Sequence, residues 1–347
     1  MNVNGIDSFS SLDSVFVVAE AGVNHNGSLD TAKQMAYEAK EAGADAVKFQ
    51  TSIPEKSMSR FAELAEYQEK NIGKRVSMLD MARSLSLTFK DFERLKRYCD
   101  EIGLLFLSTP FHTEAAVFLN DLVPFFKVSS GEIVNKEMLE FIGSTGKPVI
   151  LSTGMSCLGD IEDAFLYLNS QRDKVALLHC TTNYPCPYEE VNLKAMLTLK
   201  EAFKTVVGYS DHTLGIEVPI AAVAMGAKII EKHFTLDRSM KGPDHAASLE
   251  PSELNRMIAC IRNLEKALGS GIKEPNPSER RIMLKTRKSL TAKSDIERGT
   301  ILTKENVTFK KPGTGIPPKF AEIVLGRKVV KDIRQDETIT WDHMMEE

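Results

Sequence analysis

The chain has 347 residues, 42% of them hydrophobic, which suits a globular protein with a large core and exceeds one typical domain. Its 44 Lys and Arg against 48 Asp and Glu leave a formal charge of −4, too weak a field to favour nucleic acid or a membrane surface as partner. The start, MNVNGIDSFSSLDS, lacks the basic and apolar parts of a signal peptide, and no apolar run is long enough to span a bilayer, so a cytoplasmic protein is expected.

In chain order, eight short apolar runs read as strands: Val15 to Ala19, Ala46 to Phe49, Leu104 to Leu107, Phe125 to Val128, Val149 to Leu151, Val175 to Leu178, Val206 to Tyr209, and Ile229 to Ile230. Stretches with helical spacing separate them, such as Leu29, Ala32, Ala36 and Ala39, or Phe92, Leu95, Tyr98 and Cys99. Regular strand and helix alternation implies a parallel sheet, and eight units within about 250 residues favour an α/β fold closed as a (β/α)8 TIM barrel. Catalytic groups of such barrels stand at the C-terminal strand ends. Here those positions hold Glu20, Lys48 with Gln50, Ser108 with Thr109, Lys127 with Ser129 and Ser130, Ser152 with Thr153, His179 with Thr181, Ser210 with His212, and Glu231 with His233.

The segment Ser52 to Thr88 is too long for an ordinary connection on the catalytic face and is expected to form a lid or a pocket wall. After the helical stretch Pro251 to Leu268, a cluster of Gly and Pro marks a linker over 271–286 that ends the barrel domain, 1–270. From 287 to 347 short β-like pieces alternate with turns, which reads as a small, mostly β second domain of marginal size. Five cysteines, Cys99, Cys157, Cys180, Cys186 and Cys260, form neither an even set nor a C-x-x-C pair and read as reduced thiols, with Cys180 and Cys186 flanking a loop of the expected site.

His212 and His233 end adjacent strands, where two neutral imidazoles suit a divalent first-row metal. Glu20 and Glu231 end the first and last strands, neighbours in a closed barrel, and two carboxylates set to different pKa values can exchange protons with a water; alternatively Glu20 simply pairs with Lys48. Lys48, Lys127, Thr109, Ser130, Ser152 and Ser210 supply cations and hydroxyls for an anionic ligand carrying phosphate and carboxylate. Tyr184 in the sixth loop and Asp244 in Lys241-Gly242-Pro243-Asp244-His245 are placed to meet a sugar, or to serve as ordinary loop residues.

The strings VVAEAGVNHNG, AGADAVKFQT, FKVSSGE, LSTGM, LLHCTTNYPCP, GYSDHT, IEKHFTLD and KGPDHAASLEP resemble the sialic acid synthase family of bacterial NeuB-type enzymes, and the tail resembles the SAF, or antifreeze-like, domain. The resemblance implies condensation of phosphoenolpyruvate with an N-acylated mannosamine-type aldose, giving a nine-carbon 2-keto sugar acid and phosphate. It implies Mn2+ or Mg2+ on His212 and His233, and a proton-handling pair in Glu20 and Glu231. Phosphoenolpyruvate contacts would come from Lys48, Thr109, Lys127, Ser130, Ser152 and Ser210. Sugar contacts would come from Gln50, Tyr184 and Asp244. It also implies a domain-swapped homodimer in which the tail's residue before Pro-Gly reaches the partner's barrel. Similar enzymes carry Arg there; Lys311 stands at that place here and lacks the planar two-pronged donor. N-acetylmannosamine is the favoured acceptor and a 2,4-diacetamido-2,4,6-trideoxymannose, leading to legionaminic acid, the alternative. Another metal-dependent barrel aldolase or lyase, or a sugar-binding protein, are the more distant readings of the same residues.

Overall fold

A computed structural model describes residues 8–72, 76–170 and 172–345. The first seven residues of the N-terminal stretch, 73–75 of the long Ser52 to Thr88 segment and the last two of the tail lie outside them. The chain divides into two compact units, Met1–Gly269 and Ser270–Glu347.

The first unit holds eight parallel strands: β1 Phe16–Gly22, β2 Ala46–Thr51, β3 Leu105–Pro110, β4 Phe126–Val128, β5 Val149–Ser152, β6 Val175–Cys180, β7 Val206–Asp211 and β8 Ile229–His233. They are ordered β3-β2-β1-β8-β7-β6-β5-β4, and β3 packs against β4 to bring the two ends of the sheet together. This is the expected (β/α)8 barrel. Several strands run further than their apolar runs: β1 includes Glu20, β7 includes Asp211, and β8 extends through Glu231 to His233. Polar side chains extend a strand when they find partners: Glu20, Glu231 and His233 line the barrel mouth, whereas Asp211 pairs with Lys232 on the outer face of the strands.

Local signals fix the helices. Ser28 caps helix Leu29–Glu41 by accepting the Thr31 N–H, and Ala32, Met35, Ala36 and Ala39 form its buried stripe. Thr88 and Asp91 make a reciprocal capping box at the start of helix Phe89–Ile102, which stops at Gly103, whose φ of 68° favours glycine. One apolar layer lies between strands and helices and includes Val17, Val47, Phe106, Val128, Leu177 and Ile230. A second fills the barrel's lower interior with Phe16, Val18, Leu107, Phe125, Ile150 and Leu178, plugged from below by Phe9 and Leu12. Each such side chain contributes roughly 1.5–3 kcal/mol when fully buried. Gly208 admits no side chain inside the barrel, because a Cβ there would sit 2.3 Å from the Ile229 carbonyl oxygen.

The second unit contains a two-stranded antiparallel ladder, β9 Ser289–Ala292 with β10 Val307–Lys310. The other β-like pieces of the tail contribute isolated bridges such as Ile301 with Lys328 and Thr291 with Thr338. They enclose a core of Leu290, Leu302, Ile316, Val324, Val329 and Ile339. The stretch expected to be a linker contains helix Pro277–Thr286. Asn276 caps it, Pro277 occupies its first turn and Glu279 completes a capping box, so the Asn-Pro pair that reads as a turn is a helix start. No membrane-spanning helix is present among the described residues.

Candidate active site

Side chains alternate across a strand, so the inward positions can be followed upward. In β1 they run Phe16, Val18, Glu20; in β3, Leu105, Leu107, Thr109; in β8, Ile229, Glu231, His233. Each column is apolar at the bottom and polar at the top. The polar ends open into a cavity of about 320 Å³ lined by Glu20, Lys48, Gln50, Thr109, Lys127, Ser130, Ser152, Tyr184, Ser210, His212, Glu231, His233 and Asp244. The fold therefore brings together the barrel residues assigned to metal, phosphoenolpyruvate and sugar, whereas the strand-end residues Ser108, Thr153, His179 and Thr181 bond to neighbouring protein groups and do not line the cavity. Lys311 belongs to the second unit, exposed just after β10.

Charges on the cavity floor are paired in a chain. Lys48 Nζ lies 2.6 Å from Glu20 and 3.7 Å from Glu231, and Lys127 Nζ lies 3.6 Å from Glu231. All four are buried. Lys48 also donates to Thr109 Oγ1 at 3.1 Å, Lys127 to Ser152 Oγ at 2.7 Å, Gln50 to Glu20 at 3.2 Å and Ser210 to Glu231 at 3.0 Å. The two carboxyls are driven apart. Burial, relieved only in part by Lys48 and reinforced by Glu231, raises Glu20 to about 7. Burial acts on Glu231 as well, but Lys127 and Lys48 together outweigh it and hold this carboxyl below its usual range. Burial lowers Lys127, whereas on Lys48 the two carboxylates overcome burial and raise it. One carboxyl able to carry a proton near neutrality thus stands beside one held ionised, the separation that acid and base roles require.

The imidazoles of His212 and His233 meet with ring centroids 5.5 Å apart, and the Tyr184 ring lies 4.0 Å from that of His212. Burial lowers His212 to about 4 and lowers His233 strongly, with His212 adding to the latter, so both rings are neutral at pH 7. His212 Nδ1 donates to the Thr181 carbonyl oxygen at 2.6 Å, which leaves the Nε2 lone pair bare. His233 Nδ1 is buried without a partner. Among the described residues no three His, Cys, Asp or Glu side chains form a ready metal cage. The pair fits a divalent ion that takes two nitrogens from the protein and oxygens from substrate or water.

Ser130 Oγ accepts the Gly154 N–H at 2.9 Å and stands 3.0 Å from Cys180 Sγ. A Cβ on Gly154 would meet Thr182 Oγ1 at 2.4 Å, so the two loops close tightly there. The five cysteines are free; Cys180 lines the cavity, and burial pushes its thiol up, away from thiolate reactivity. The insertion after β2 forms a wall of the cavity, as expected, and contributes Met58, Met81 and Leu85. Sequence patterning does not reveal these three, because a methionine facing a cavity looks like one facing a core.

Asp244 is buried, and burial raises its carboxyl from 3.8 to about 6. The folded state therefore holds this proton more tightly than the unfolded chain, and stability is lost as pH rises from about 4 to about 6. Asp244→Asn removes that loss. Its melting temperature should match the wild type near pH 3.5 and exceed it at pH 8, by the equivalent of about 3 kcal/mol; coincident melting at pH 8 would show a solvated carboxylate.

With this geometry in view, the family model described as the NeuB family matches residues 35–273, and that of the SAF domain matches 287–345. The chain belongs to the NeuB family. This NeuB-family chain is 47% identical over 327 residues to the N,N'-diacetyllegionaminic acid synthase of Campylobacter jejuni, covering 93% of this chain and 98% of that protein. It is 39% identical over 329 residues to the human N-acetylneuraminate-9-phosphate synthase, covering 93% and 91%. Its fold matches the crystal structure of the N-acetylneuraminic acid synthetase of Leptospira borgpetersenii in complex with citrate, with a TM-score of 0.68 at 36% identity over 78% of this chain and 90% of that one.

Proposed function

We propose that this NeuB-family enzyme joins phosphoenolpyruvate, an N-acylated mannosamine-type aldose and water into a nine-carbon 2-keto sugar acid with release of phosphate. The observation that carries the reading is the buried chain Glu20–Lys48–Glu231–Lys127 beside two neutral imidazoles. Lys48 and Lys127, with Thr109, Ser130, Ser152 and Ser210, hold the phosphate and carboxylate of phosphoenolpyruvate by charge-assisted hydrogen bonds. Gln50, Tyr184 and Asp244 face the sugar. A divalent ion on His212 and His233, Mn2+ or Mg2+, supplies Lewis-acid polarisation of the open-chain aldehyde.

The balance of the reaction then falls to the carboxyls. The C3 of phosphoenolpyruvate forms a bond to the aldehyde carbon, and Glu20 delivers a proton to the former aldehyde oxygen. Water adds to the cationic C2 and gives one proton to Glu231, which the lysines hold ionised. The bond from C2 to the phosphate oxygen then breaks, the remaining C2 hydroxyl proton leaves with the phosphate, and the ketone forms.

A second reading concerns the sugar. The 2,4-diacetamido-2,4,6-trideoxy acceptor is favoured over N-acetylmannosamine by the apolar wall of Met58, Met81 and Leu85, which suits a C6 methyl better than a C6 hydroxyl. The greater identity to the legionaminic acid synthase, 47% against 39%, points the same way. The test is phosphate release from phosphoenolpyruvate and Mn2+ with each sugar side by side. The diacetamido sugar should give a kcat/KM roughly tenfold or more higher, the size that one group in an apolar pocket supports. A preference for N-acetylmannosamine would overturn the choice of sugar, and no release with either would overturn the reaction.

A further inference from the structure

Behind the histidines, on the face of β7 and β8 turned away from the barrel interior, Asp211 and Lys232 form an ion pair with no solvent exposure on either side chain. They are direct partners in the β7–β8 register. Lys232 Nζ lies 2.5 Å from Asp211 Oδ2 and donates to the Thr213 carbonyl oxygen, also at 2.5 Å. Asp211 Oδ1 accepts the Thr213 N–H at 3.0 Å and its hydroxyl at 2.9 Å. The Tyr209 side chain hydrogen-bonds to the same carboxylate.

This layer is otherwise apolar, with Val207, Ile230 and Phe234 on it. Two charges buried there carry a large desolvation cost, and a well-packed apolar pair often serves stability as well or better. Stability alone therefore does not account for them. Their place in the chain does. Asp211 stands between Ser210 and His212, Lys232 between Glu231 and His233, and Thr213 directly follows His212. The network clamps the backbone on both sides of His212 and next to His233. The His212 carbonyl, which accepts the Cys186 N–H at 2.8 Å, and its ring, bonded to the Thr181 carbonyl, complete the restraint.

We propose that the Asp211–Lys232–Thr213 network is a positioning device that sets the spacing and ring orientation of His212 and His233, and through them the affinity for a divalent cation; the second half rests on the metal reading above. Partners one shell behind a ligating imidazole commonly change metal affinity 10- to 100-fold when altered. The network does so here through the backbone of two adjacent strands.

The test uses the full chain and the double variant Asp211→Asn, Lys232→Met, which removes both charges together and leaves neither buried alone. Two quantities are read without substrate: the dissociation constant for Mn2+ alone, and the exchange rate of the His212 Nδ1 proton, followed by NMR in the metal-free protein. The expected result is a cooperative thermal transition, Mn2+ binding weakened roughly 10- to 100-fold, and faster exchange of the imidazole proton. A folded double variant with wild-type Mn2+ affinity and wild-type exchange overturns the proposal, since the pair would then be only structural. Should the double variant not fold, Thr213→Val carries the test by removing a single hydroxyl, with Mn2+ binding expected to weaken about fivefold; unchanged binding and exchange would again overturn it. If the wild-type protein binds no Mn2+, the metal reading fails, and the imidazole proton still decides whether the network positions the rings.

Discussion

Alanine at His212 or His233 is expected to lower phosphate release from phosphoenolpyruvate by roughly three orders of magnitude at saturating Mn2+, because Lewis-acid polarisation is worth several kcal/mol and each factor of ten is 1.36 kcal/mol. The loss should fall on kcat. Neither substitution touches the contacts of Lys48 with Glu20 and Thr109 or of Lys127 with Ser152, so the KM for phosphoenolpyruvate should change little. Separate determination of kcat, KM and the Mn2+ concentration dependence checks this. Either variant working at more than a tenth of the wild-type rate would remove the two imidazoles from the chemistry and return them to a packing role beside Tyr184.

Glu20→Gln should cost between about 100-fold and 10,000-fold in kcat, the usual range for a positioned general acid or base. Glutamine matches the shape of glutamate but carries no transferable proton, whereas the buried Glu20 carboxyl, raised to about 7, holds one near neutrality. Glu20→Asp keeps the proton and shortens the reach, so it should retain more activity than the amide. If the two variants fall together by less than tenfold, Glu20 is simply the ion-pair partner of Lys48, the plainer reading of its 2.6 Å contact. The pair of substitutions separates proton transfer from charge balance, which one substitution alone would not.

Much of this site was legible along the chain. A barrel strand buried on both faces writes itself as a short apolar run, and the polar residue that ends the run marks the catalytic rim; Glu20, Ser210 and Glu231 stand out in that way, and Lys48 and Lys127 as the one charge inside an otherwise apolar run. His212 and His233 were legible together because adjacent runs ended on the same residue type. The cavity wall was not. Met81 and Leu85 belong to a short helix and Met58 directly follows another, with no strand register to anchor them, and their position depends on how the insertion folds back over the barrel. The helix Pro277–Thr286 was hidden for another reason: proline and asparagine open helices as readily as they make turns, and only the capping bonds of Asn276 distinguish the two.

Lys232 shows the limit most clearly. In sequence it is one more charge in Ile229-Ile230-Glu231-Lys232-His233, alternating with residues that face the cavity. Only the pairing of β8 with β7 reveals that it meets Asp211 out of contact with water.

The sequence by itself determined the barrel, the strand ends and the chemical groups placed on them, because alternation and helical spacing are local periodicities written along the chain. Tertiary structure alone decided which carboxyl holds a proton near neutrality more readily than the other, which ring nitrogen is bare and which charges are paired. Desolvation and Coulomb energy depend on distance through space, and Glu20, Lys48 and Glu231 are neighbours only after the first and last strands have closed on each other.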